Sequence, residues 1–407
     1  MTTDIDYDII IIGAGMVGLT AALALCESQL RIAIVDKHRP MALSKVEHLE
    51  QRVTAIAPAS LNIFNSLHAW HEMKSLRVSP YREMFVWEAN NSGNIHFDSA
   101  DVGAATLGYI IENNVIQSAL LSQLDKYSVV NWLCPEAIRD VQLLDKIALI
   151  TLETGRQLSC KLLIGADGAV STVRDLVGIK TTEWEYEHTS LVATVQTEHV
   201  HKETAWQIFL PTGPLAFLPL ANKHHCSIVW STNPDQAKNL QEVDPAEFEQ
   251  QLTAAFENKL GKIKLLNERH LFPLKMRHAK QYTLNRLALI GDAAHSIHPL
   301  AGQGVNLGIL DAACLAEIIV AAKMKNRDFG AHYNLRRYER WRKGGNLTMI
   351  SAVELFKRLF GIQMPPIKWL RNSGLKMMDK STLIKSCIMQ QAMGLKGDLP
   401  QLARIRN

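Results

Sequence analysis

The strongest constraint on the fold is a strand–loop–helix–strand pattern at the start of the chain. An isoleucine-rich run, Tyr7–Ile12, is apolar on both faces and predicts a strand that is buried on both sides. A G-x-G-x-x-G motif begins at Gly13 and opens a stretch with Ala and Leu at helical density, and Arg31–Val35 then predicts a second strand that ends at Asp36. This order predicts a βαβ unit, and hence a parallel sheet covered by helices.

The three glycines of this motif, Gly13, Gly15 and Gly18, are suited to holding a pyrophosphate group. They permit a tight turn and a close approach of the backbone, while the N-terminus of the following helix favours the negative charge. Asp36 stands at the end of the second strand, where a carboxylate accepts hydrogen bonds from the hydroxyls of a ribose. The unit therefore predicts a dinucleotide site, although it does not by itself distinguish NAD from FAD.

Two later segments favour FAD. One predicted strand ends in a GADG motif that contains Asp167, and another ends in Gly291-Asp292, after which Gly302–Asn306 opens a helix. An aspartate at a strand end can bind the hydroxyls of a polyol chain. A glycine-rich helix start offers free N–H groups to the electron-rich edge of a reduced flavin. Each segment alone is compatible with an ordinary turn, but the three in this order predict a flavin site.

The composition is that of a folded globular protein, with 47% hydrophobic and 21% charged residues among 407. Six cysteines lie far apart without a CxxC pair, which argues against a zinc centre, a dithiol redox centre or a disulfide framework, and we predict no metal site. The polar, acidic N-terminus resembles no secretory signal, and no run approaches the roughly 18 apolar residues of a membrane span. We therefore expect a cytoplasmic location.

Between the GADG motif and Gly291-Asp292, short alternating or apolar runs separated by turn residues predict a separate, mainly antiparallel sheet. After Leu307 the pattern is helical, with interruptions expected at Gly344-Gly345 and Pro365-Pro366. The predicted fold class is α/β, with a Rossmann-like FAD-binding domain, an inserted antiparallel substrate domain and a helical C-terminal region. The predicted boundaries are 1–180 for the first part of the FAD-binding domain, with substrate-domain strands near 80–110, 181–275 for the substrate domain, 276–330 for the second part of the FAD-binding domain, and 331–407 for the C-terminal region.

The C-terminal region is strongly basic. Residues 321–407 hold 18 Lys and Arg against 5 Asp and Glu, a net charge of +13, so the first 320 residues carry a net charge of −9. Such a region can bind an anionic membrane surface or a protein partner, or it can be a solvated helical face. We do not predict nucleic acid as a partner, because no recognition motif accompanies the charge.

Several segments resemble one enzyme family. GAGMVG, GADGAVSTVR and GDAAHSIHPLAGQGVNLG resemble the three FAD signatures of the single-component flavoprotein aromatic hydroxylases. Within that class, QRVTAIAPAS, GYIIENNVIQSALL and LRRYERWRK resemble the ubiquinone-biosynthesis hydroxylases, over a similarity that runs from about residue 7 to the C-terminus. LVATVQTEHV, CSIVWS and GDLPQLA are most similar to the branch that hydroxylates 2-octaprenylphenol at ring carbon 5.

The resemblance implies an FAD enzyme that takes electrons from NAD(P)H and uses O₂ to hydroxylate an aromatic ring. It assigns the cofactor contacts to Gly13, Gly15, Gly18 and Asp36 for the ADP half, Arg52 and Gln117 for the sugar and phosphate region, Asp167 near the pyrophosphate, Asp292 for the ribitol, and Gly302, Gly304, Val305 and Asn306 beside the isoalloxazine. Pro299 matches a proline whose surroundings face the substrate ring. His295 and His298 are candidate bases beside the predicted flavin loop, although a histidine in such a loop is more often a structural hydrogen-bonding group.

The implied substrate is a polyprenylated phenol of ubiquinone biosynthesis that is hydroxylated at ring carbon 5. The alternatives are carbon 6 or 1 of a later intermediate, a soluble aromatic compound, or a flavin-binding scaffold subunit of a quinone-synthesis complex. Because a polyprenyl substrate resides in the bilayer, we expect the basic C-terminal region to contact the inner membrane peripherally or to join a quinone-biosynthesis complex. Packing on the FAD-binding domain and a homo-oligomer interface are the other interpretations of this region.

Overall fold

The computed structural model describes residues 5–43, 50, 52–89, 93–296, 303–361 and 382–404. Within these residues the strands are, in chain order, β1 (Tyr7–Ile12), β2 (Ile32–Val35), β3 (Val53–Ile56), β4 (Ser79–Tyr81), β5 (Glu83–Glu88), β6 (Asn94–Asp98), β7 (Gly108–Glu112), β8 (Val130–Leu133), β9 (Ile138–Leu143), β10 (Ala148–Leu152), β11 (Gln157–Gly165), β12 (Thr181–Thr197), β13 (Thr204–Leu210), β14 (Gly213–Pro219), β15 (His225–Thr232), β16 (Ile263–Leu265), β17 (His270–Ala279), β18 (Thr283–Leu284), β19 (Leu287–Leu289) and β20 (His295–Ser296). The helices are α1 (Met16–Leu25), α2 (Pro58–Ser66), α3 (Trp70–Leu76), α4 (Asn113–Leu124), α5 (Thr172–Leu176), α6 (Pro234–Glu242), α7 (Pro245–Ala255), α8 (Gln303–Met324), α9 (His332–Gly361) and α10 (Thr382–Ala392).

The FAD-binding part is built on a parallel sheet. Its main path runs β18-β19-β11-β1-β2-β8, and every pair from β19 to β8 is parallel. The isoleucines Ile9–Ile12 are buried in one core cluster with apolar side chains of α1, α4 and α8. This arrangement confirms the predicted βαβ unit and the α/β fold class. Helix α1 ends at Leu25, and a single 3-10 turn, Cys26–Ser28, completes the predicted helical stretch.

A second, mainly antiparallel sheet follows the path β20-β17-β12-β15-β14-β13-β5-β6, with β16 paired to β12. Its strands come from residues 83–98, 181–279 and 295–296. Helices α6 and α7 cover one face of the sheet and contribute to its core. Phe217 of this face stacks on Phe256, just after α7, with ring centroids 3.9 Å apart, and Trp206 packs beside it.

Two smaller features were not part of the sequence predictions. Strands β3, β7 and β4 form a three-stranded antiparallel sheet, and β9 and β10 form an antiparallel pair that extends from β11. These strands are four to six residues long apart from the three-residue β4, so they carry a weak local pattern. Their pairing partners determine that they become strands.

Helix α9 runs without a break through Gly344-Gly345, so the interruption predicted there is wrong. The helix is anchored on both sides of the glycine pair, because Arg342 and Asn346 both hydrogen-bond to Asp311 of α8. Tertiary contacts of this kind override the weak helix propensity of glycine.

The last described segment folds back onto the FAD-binding part. Ala59 N at the start of α2 donates to Met393 O at 3.2 Å, and Asn62 Nδ2 donates to Ala403 O at 3.0 Å. Helix α10 itself contacts β6, where Lys385 Nζ donates to His96 O at 3.0 Å. From Met393 onward the chain packs on the FAD-binding part, which is one of the interpretations that the sequence left open. Residues 362–381, with the break predicted at the proline pair, lie outside the described residues.

Helix α8 is long and apolar enough to cross a membrane by length and composition alone. In the folded chain, however, 78% of its most apolar window is buried. It packs against α1 and α9 as the central helix of the FAD-binding part.

Replacing Gly344 with Ala should stabilise the protein, because this glycine lies inside a continuous helix and a Cβ there would meet no described atom within 4 Å. Helix propensity predicts a gain of about 0.5–1 kcal/mol in the free energy of unfolding, measured by urea denaturation followed by circular dichroism. Gly213→Ala is the control, since its φ is +139° and its Cβ would lie 2.1 Å from Ser231 O, so its stability should fall. A loss of stability in Gly344→Ala would show that the helix is interrupted at this position.

Candidate functional site

The carboxyl ends of four adjacent strands bring the predicted cofactor residues to one edge of the parallel sheet. In the order β19-β11-β1-β2, Ile12 is in register with both Gly165 and Val35, and Ile290 N donates to Gly165 O at 2.9 Å. The segments that follow these strand ends are the glycine motif, Asp36, the GADG motif and the turn at Gly291-Asp292, which we call the Gly-Asp turn. All four are therefore neighbours. This is the edge at which open α/β sheets bind ligands.

Close backbone contacts require two glycines of the first motif. A Cβ on Gly13, whose φ is +108°, would lie 2.4 Å from Ala166 O, and a Cβ on Gly18 would lie 2.0 Å from Gly13 O. These contacts hold the first loop against the GADG segment. A Cβ on Gly15, the N-cap residue of α1, would meet no described atom within 4 Å. The N-terminus of α1 therefore opens onto free space, as a pyrophosphate site requires.

Asp36 secures the other side of this loop. Its carboxylate accepts hydrogen bonds from Ala14 N at 2.6 Å and from His38 N at 2.9 Å. The half-buried side chain thus reaches into the glycine motif, next to the predicted position of the adenosine half of the cofactor. Its contact with the ribose stays a prediction.

Asp167 braces the GADG segment. Its carboxylate accepts hydrogen bonds from Ser171 Oγ at 2.6 Å and from Val173 N at 3.0 Å, at the start of α5. Burial raises the pKa of Asp167 above its usual range, although these hydrogen bonds act in the opposite direction. The buried Arg174 donates to Ala293 O at 3.1 Å and so ties the GADG segment to the Gly-Asp turn. A role of Asp167 near the pyrophosphate or in NAD(P)H use stays a prediction.

The first and third FAD segments meet at a point of close packing. A Cβ on Gly308 of α8 would lie 2.7 Å from Val17 Cγ2 and 3.0 Å from Gly291 Cα. Gly291 itself has a φ of +60°, and its Cβ would lie 3.1 Å from Val17 Cγ1. Helix α1, the Gly-Asp turn and the start of α8 are therefore in contact at a distance that glycine permits and larger residues do not.

Asp292 and Arg52 mark the side of the site that faces the second sheet. The Asp292 side chain is open to solvent, yet the surrounding protein desolvates it enough to raise its pKa, while His295 and Arg52 act in the opposite direction. The guanidinium of Arg52 lies over the Phe272 ring, 5.4 Å from its centroid. This cation–π contact joins the FAD-binding part to β17 of the second sheet.

Phe272 also shows which face of the second sheet lies toward the site. It is in register with Ser190, and the alternation of side chains along the strands places a set of half-buried apolar residues on the same face. These residues are Val192, Ala216, Leu218 and Val229. Trp206 and Phe217 lie on the opposite face, under α6 and α7. Small polar residues of the same face, Ser190, Thr194, Ser227 and Ser231, are buried between these apolar side chains. The accessible part of the sheet surface that bounds the site on this side is thus mainly apolar.

The start of α8 is fixed by a buried asparagine. Asn306 Oδ1 accepts a hydrogen bond from Ala57 N at 2.9 Å, and its Nδ2 donates to Ala55 O at 2.7 Å. These two bonds hold α8 to the connection between β3 and α2. Gly304 and Val305 are half-buried in the first turn of α8. Their contact with the isoalloxazine, and that of Asn306, stays a prediction.

Gln117, His298, Pro299 and Gly302 complete the set of predicted site residues. Gln117 is half-buried in α4, which packs against α1. His298, Pro299 and Gly302 lie outside the described residues. The predicted roles of these four residues stay predictions.

His295 is fully buried, and its Nε2 lies 2.5 Å from Oδ2 of Asp311. Asp311 also accepts a hydrogen bond from Arg342 Nε at 2.8 Å. Burial raises the pKa of Asp311, but His295 and Arg342 outweigh it and lower the pKa to about 2. Sequence reasoning missed both Asp311 and Arg342. The available signal was a lone carboxylate in the apolar run Leu307–Ala313, since a buried charge needs a partner.

The residues at this edge fit FAD. Glycine cradles leave room for a backbone-bound pyrophosphate, the N-terminus of α1 is open, and aspartates stand at three strand ends. This donor set suits a dinucleotide with a polyol chain. Among the residues that the structure describes, no group of three or more His, Cys, Asp and Glu side chains could hold a metal ion.

Comparison with known proteins identifies the family. A family profile described as "FAD binding domain" matches residues 6–343. The 3-demethoxyubiquinol 3-hydroxylase of Escherichia coli is 34% identical over 388 residues, which cover 95% of this chain and 98% of that protein. The mitochondrial ubiquinone biosynthesis monooxygenase COQ6 of Homo sapiens is 34% identical, with 95% of this chain and 92% of that protein covered. The chain belongs to the ubiquinone-biosynthesis hydroxylase family.

The hydroxylase is thus an FAD-dependent aromatic-ring monooxygenase with NAD(P)H as electron donor, as its sequence predicted. The p-nitrophenol 4-monooxygenase PnpA of Pseudomonas putida DLL-E4 matches it with a TM-score of 0.78, covering 97% of this chain and 99% of that chain at 18% identity. A likeness at this level of identity concerns the fold alone, and it confirms the predicted architecture.

Gly15→Ala should separate cofactor binding from folding in this hydroxylase. Because a Cβ at this position meets no described atom within 4 Å, the free energy of unfolding of the FAD-free protein should fall by less than about 1 kcal/mol. The same methyl group would stand where the pyrophosphate approaches α1, so we expect the FAD dissociation constant to rise by about tenfold or more, measured by ultrafiltration of free flavin. Gly344→Ala is the control and should bind FAD normally. Normal FAD binding by Gly15→Ala would exclude this loop from the cofactor site.

Proposed function

We propose that this hydroxylase adds one oxygen atom from O₂ to the aromatic ring of a polyprenylated phenol in ubiquinone biosynthesis. The observation that carries the proposal is the position of Asp292 and Arg52 at the FAD site, on the side that faces the apolar surface around Phe272. Relatives that are 34% identical are named for ubiquinone biosynthesis or for a ubiquinol intermediate, which supports a quinone precursor as the substrate.

The contribution of the protein itself is to bind, to orient and to exclude water. When bound, FAD accepts electrons from NAD(P)H and activates O₂. The apolar sheet face around Phe272 gives an aromatic ring and the first part of a prenyl chain a surface away from water, which protects the reaction from side reactions with solvent. Ser190 and Ser231, whose hydroxyl oxygens lie 2.8 Å apart, add a polar point to this face.

The ring position is part of the proposal. The sequence resemblance favours ring carbon 5 of a polyprenylphenol. The name of the Escherichia coli relative, a 3-demethoxyubiquinol 3-hydroxylase, supports a later intermediate of the pathway instead. Both substrates carry a prenyl chain and would use the same apolar face, so a chemical analysis of the accumulated lipid is needed to distinguish them.

In a strain that lacks this protein, mass spectrometry of the quinone-pathway lipids should show one accumulated intermediate. A polyprenylphenol without its first added ring hydroxyl would assign carbon 5, because the first hydroxylation would then be missing. A later, methoxylated intermediate would assign carbon 6 or 1. Restoring the wild-type gene should remove the intermediate, whereas the Gly15→Ala variant should remove it more slowly.

An unchanged lipid profile, in a strain with no second hydroxylase for the same step, would contradict the quinone assignment. The next substrates to test would then be small soluble phenols. Tight FAD binding without NAD(P)H oxidation stimulated by any phenol would instead support the scaffold role.

We also propose that the protein associates peripherally with the cytoplasmic face of the inner membrane through a basic face of α9. His332, Arg336 and Arg340 are spaced four residues apart and therefore lie on one side of the helix. Together with Lys280 and Lys343 they line a groove of about 600 Å³. Glu339 also lines the groove and forms an ion pair with Lys343 at 3.4 Å, so the net positive charge of the lining comes from Lys280, Arg336 and Arg340. These cations complement the negative charge of phospholipid headgroups.

Apolar side chains lie beside this basic face. Tyr333 is 61% exposed and Leu347 is 42% exposed. A mixture of exposed aromatic, aliphatic and basic residues is typical of a helix that lies at a membrane interface. Such contact would hold the protein at the bilayer in which a polyprenylated substrate resides.

The double variant Arg336→Glu with Arg340→Glu should bind less well to vesicles of phosphatidylcholine with added phosphatidylglycerol. Loss of two contacts of about 1 kcal/mol each predicts a roughly thirtyfold weaker affinity, measured by co-sedimentation at low salt. The matched control is Arg139→Glu with Arg156→Glu, which makes the same change in net charge at two exposed arginines on either side of β10. Equal losses in the two double variants, or no vesicle binding by the wild type, would contradict the proposal and favour a protein partner.

A further inference from the structure

Asp311 is a buried carboxylate in the apolar helix α8 with four hydrogen-bond donors around it. Its Oδ2 accepts from His295 Nε2 at 2.5 Å and from Gly291 N at 3.2 Å. Its Oδ1 accepts from Arg342 Nε at 2.8 Å and from Asn346 Nδ2 at 3.2 Å. The side chains of Asp311 and Asn346 are fully buried, and Arg342 is 6% exposed. We call the cluster of Asp311, His295, Arg342 and Asn346 the Asp311 network.

Packing alone does not account for such a network. Moving charges out of water costs free energy that their mutual attraction repays only when the geometry is good, and apolar residues of similar size often stabilise a core as well or better. The surroundings of Asp311 in α8 are apolar and could have been completed by an apolar side chain. The reason for this network therefore lies in the segments that its hydrogen bonds hold in position.

The first of these segments is the Gly-Asp turn. Gly291 and His295 stand on the two sides of Asp292, and both are held by the same carboxylate oxygen. His295 also belongs to β20, which pairs with His278 of β17. The turn that carries Asp292 is thus held at both ends by Asp311 of α8, and its His295 end is also held by the second sheet.

Arg342 connects the same network to the beginning of α8. Besides Asp311, it donates through Nη2 to Leu307 O at 3.4 Å and to Asn346 Oδ1 at 2.9 Å. Leu307 lies one residue after Asn306, which itself clamps the β3–α2 connection. One arginine on α9 therefore holds the first turns of α8 in place against the Gly-Asp turn.

We propose that Asp311, His295 and Arg342 are positioning residues that hold Asp292 and the N-terminus of α8 in the geometry that FAD requires, and that α9 thereby controls cofactor affinity. This inference rests on the FAD site described above. None of the three residues needs to touch the cofactor or the substrate, because each acts through the turn or the helix that it fixes. His295 in particular directs Nε2 at Asp311 from a fully buried ring, an orientation that suits positioning better than proton exchange with a substrate.

The chain offers a matched control for this network. Arg286 binds Asp328 with two hydrogen bonds of 2.7 and 2.5 Å, and Arg286 is 4% exposed. Arg286 precedes β19, whereas Asp292 follows it, so this second ion pair lies at the opposite end of the same strand. Breaking either pair should destabilise the fold, but only the Asp311 network lies beside the predicted cofactor residues.

The test compares Asp311→Asn with Asp328→Asn in the full-length protein isolated with FAD. The FAD dissociation constant is measured by ultrafiltration, and the midpoint of unfolding is measured separately by circular dichroism. We expect both variants to unfold at a lower temperature, with FAD affinity falling at least about tenfold in Asp311→Asn and less than about threefold in Asp328→Asn. Equal changes in FAD affinity, or normal affinity in Asp311→Asn, would overturn the proposal.

If Asp311→Asn does not fold, Arg342→Lys and Arg286→Lys provide the same comparison. The lysine keeps the charge but loses the Nη2 contacts to Leu307 and Asn346, so we expect FAD affinity to fall several-fold in Arg342→Lys and to stay near normal in Arg286→Lys. Equal affinities in these two variants would overturn the proposal.

Two variants at His295 test positioning against proton transfer. The amide nitrogen of His295→Gln can still donate to Asp311, so we expect this variant to bind FAD within about threefold of the wild type, whereas His295→Leu should bind FAD about tenfold more weakly. Normal FAD binding in His295→Gln with hydroxylation abolished would identify a proton-transfer role and overturn positioning for this residue. Because FAD affinity is measured without substrate, failure of the quinone assignment would leave the comparisons of FAD affinity unaffected.

Discussion

The backbone of the glycine motif touches the backbone of the GADG segment, and the rest of the FAD-binding part depends on this contact. Gly13 has a positive φ and no space for a side chain next to Ala166 O, so glycine is required there. The contact holds the ends of β1 and β11 together, and the parallel register then aligns the ends of β2 and β19 beside them. As a result Asp36, Asp167 and Asp292, which are far apart in sequence, share one edge of the sheet.

The second constraint is that this polar edge must face an apolar surface. Arg52 stands over Phe272 and joins the two sheets, while the apolar side chains on the same face of the second sheet remain half-buried. A polar cofactor edge opposite an apolar wall suits a reaction in which the cofactor supplies the redox chemistry and the protein excludes water. The same wall suits a ring that carries a prenyl chain, which is why the proposed substrate fits the geometry.

The C-terminal region serves the site more directly than its charge suggested. Its high positive charge favours contact with a membrane surface or a protein partner, and the exposed basic face of α9 is the basis of the membrane proposal. The buried face of the same helix carries Arg342, which holds Asp311 in the centre of the FAD-binding part. Beyond α9, the segment that ends near Ala403 packs on α2. One face of α9 thus exposes cationic side chains to solvent, while Arg342 on the buried face forms an ion pair with Asp311 of α8.

The sequence by itself determined the features that depend on neighbouring residues. Tyr7–Ile12 forms a strand with the predicted bounds, because an uninterrupted apolar run is typical of a strand that is buried on both faces. The strands of the antiparallel sheet follow from short runs of the same kind. The three FAD segments are motifs of consecutive residues, so they too can be recognised without the fold. Only the tertiary structure decided that α9 continues through its glycine pair, that Phe272 faces the site, and that His295 is bound to Asp311. Each of these outcomes depends on a contact between residues at least 16 positions apart in sequence, and the free energy of such contacts is not contained in any local pattern.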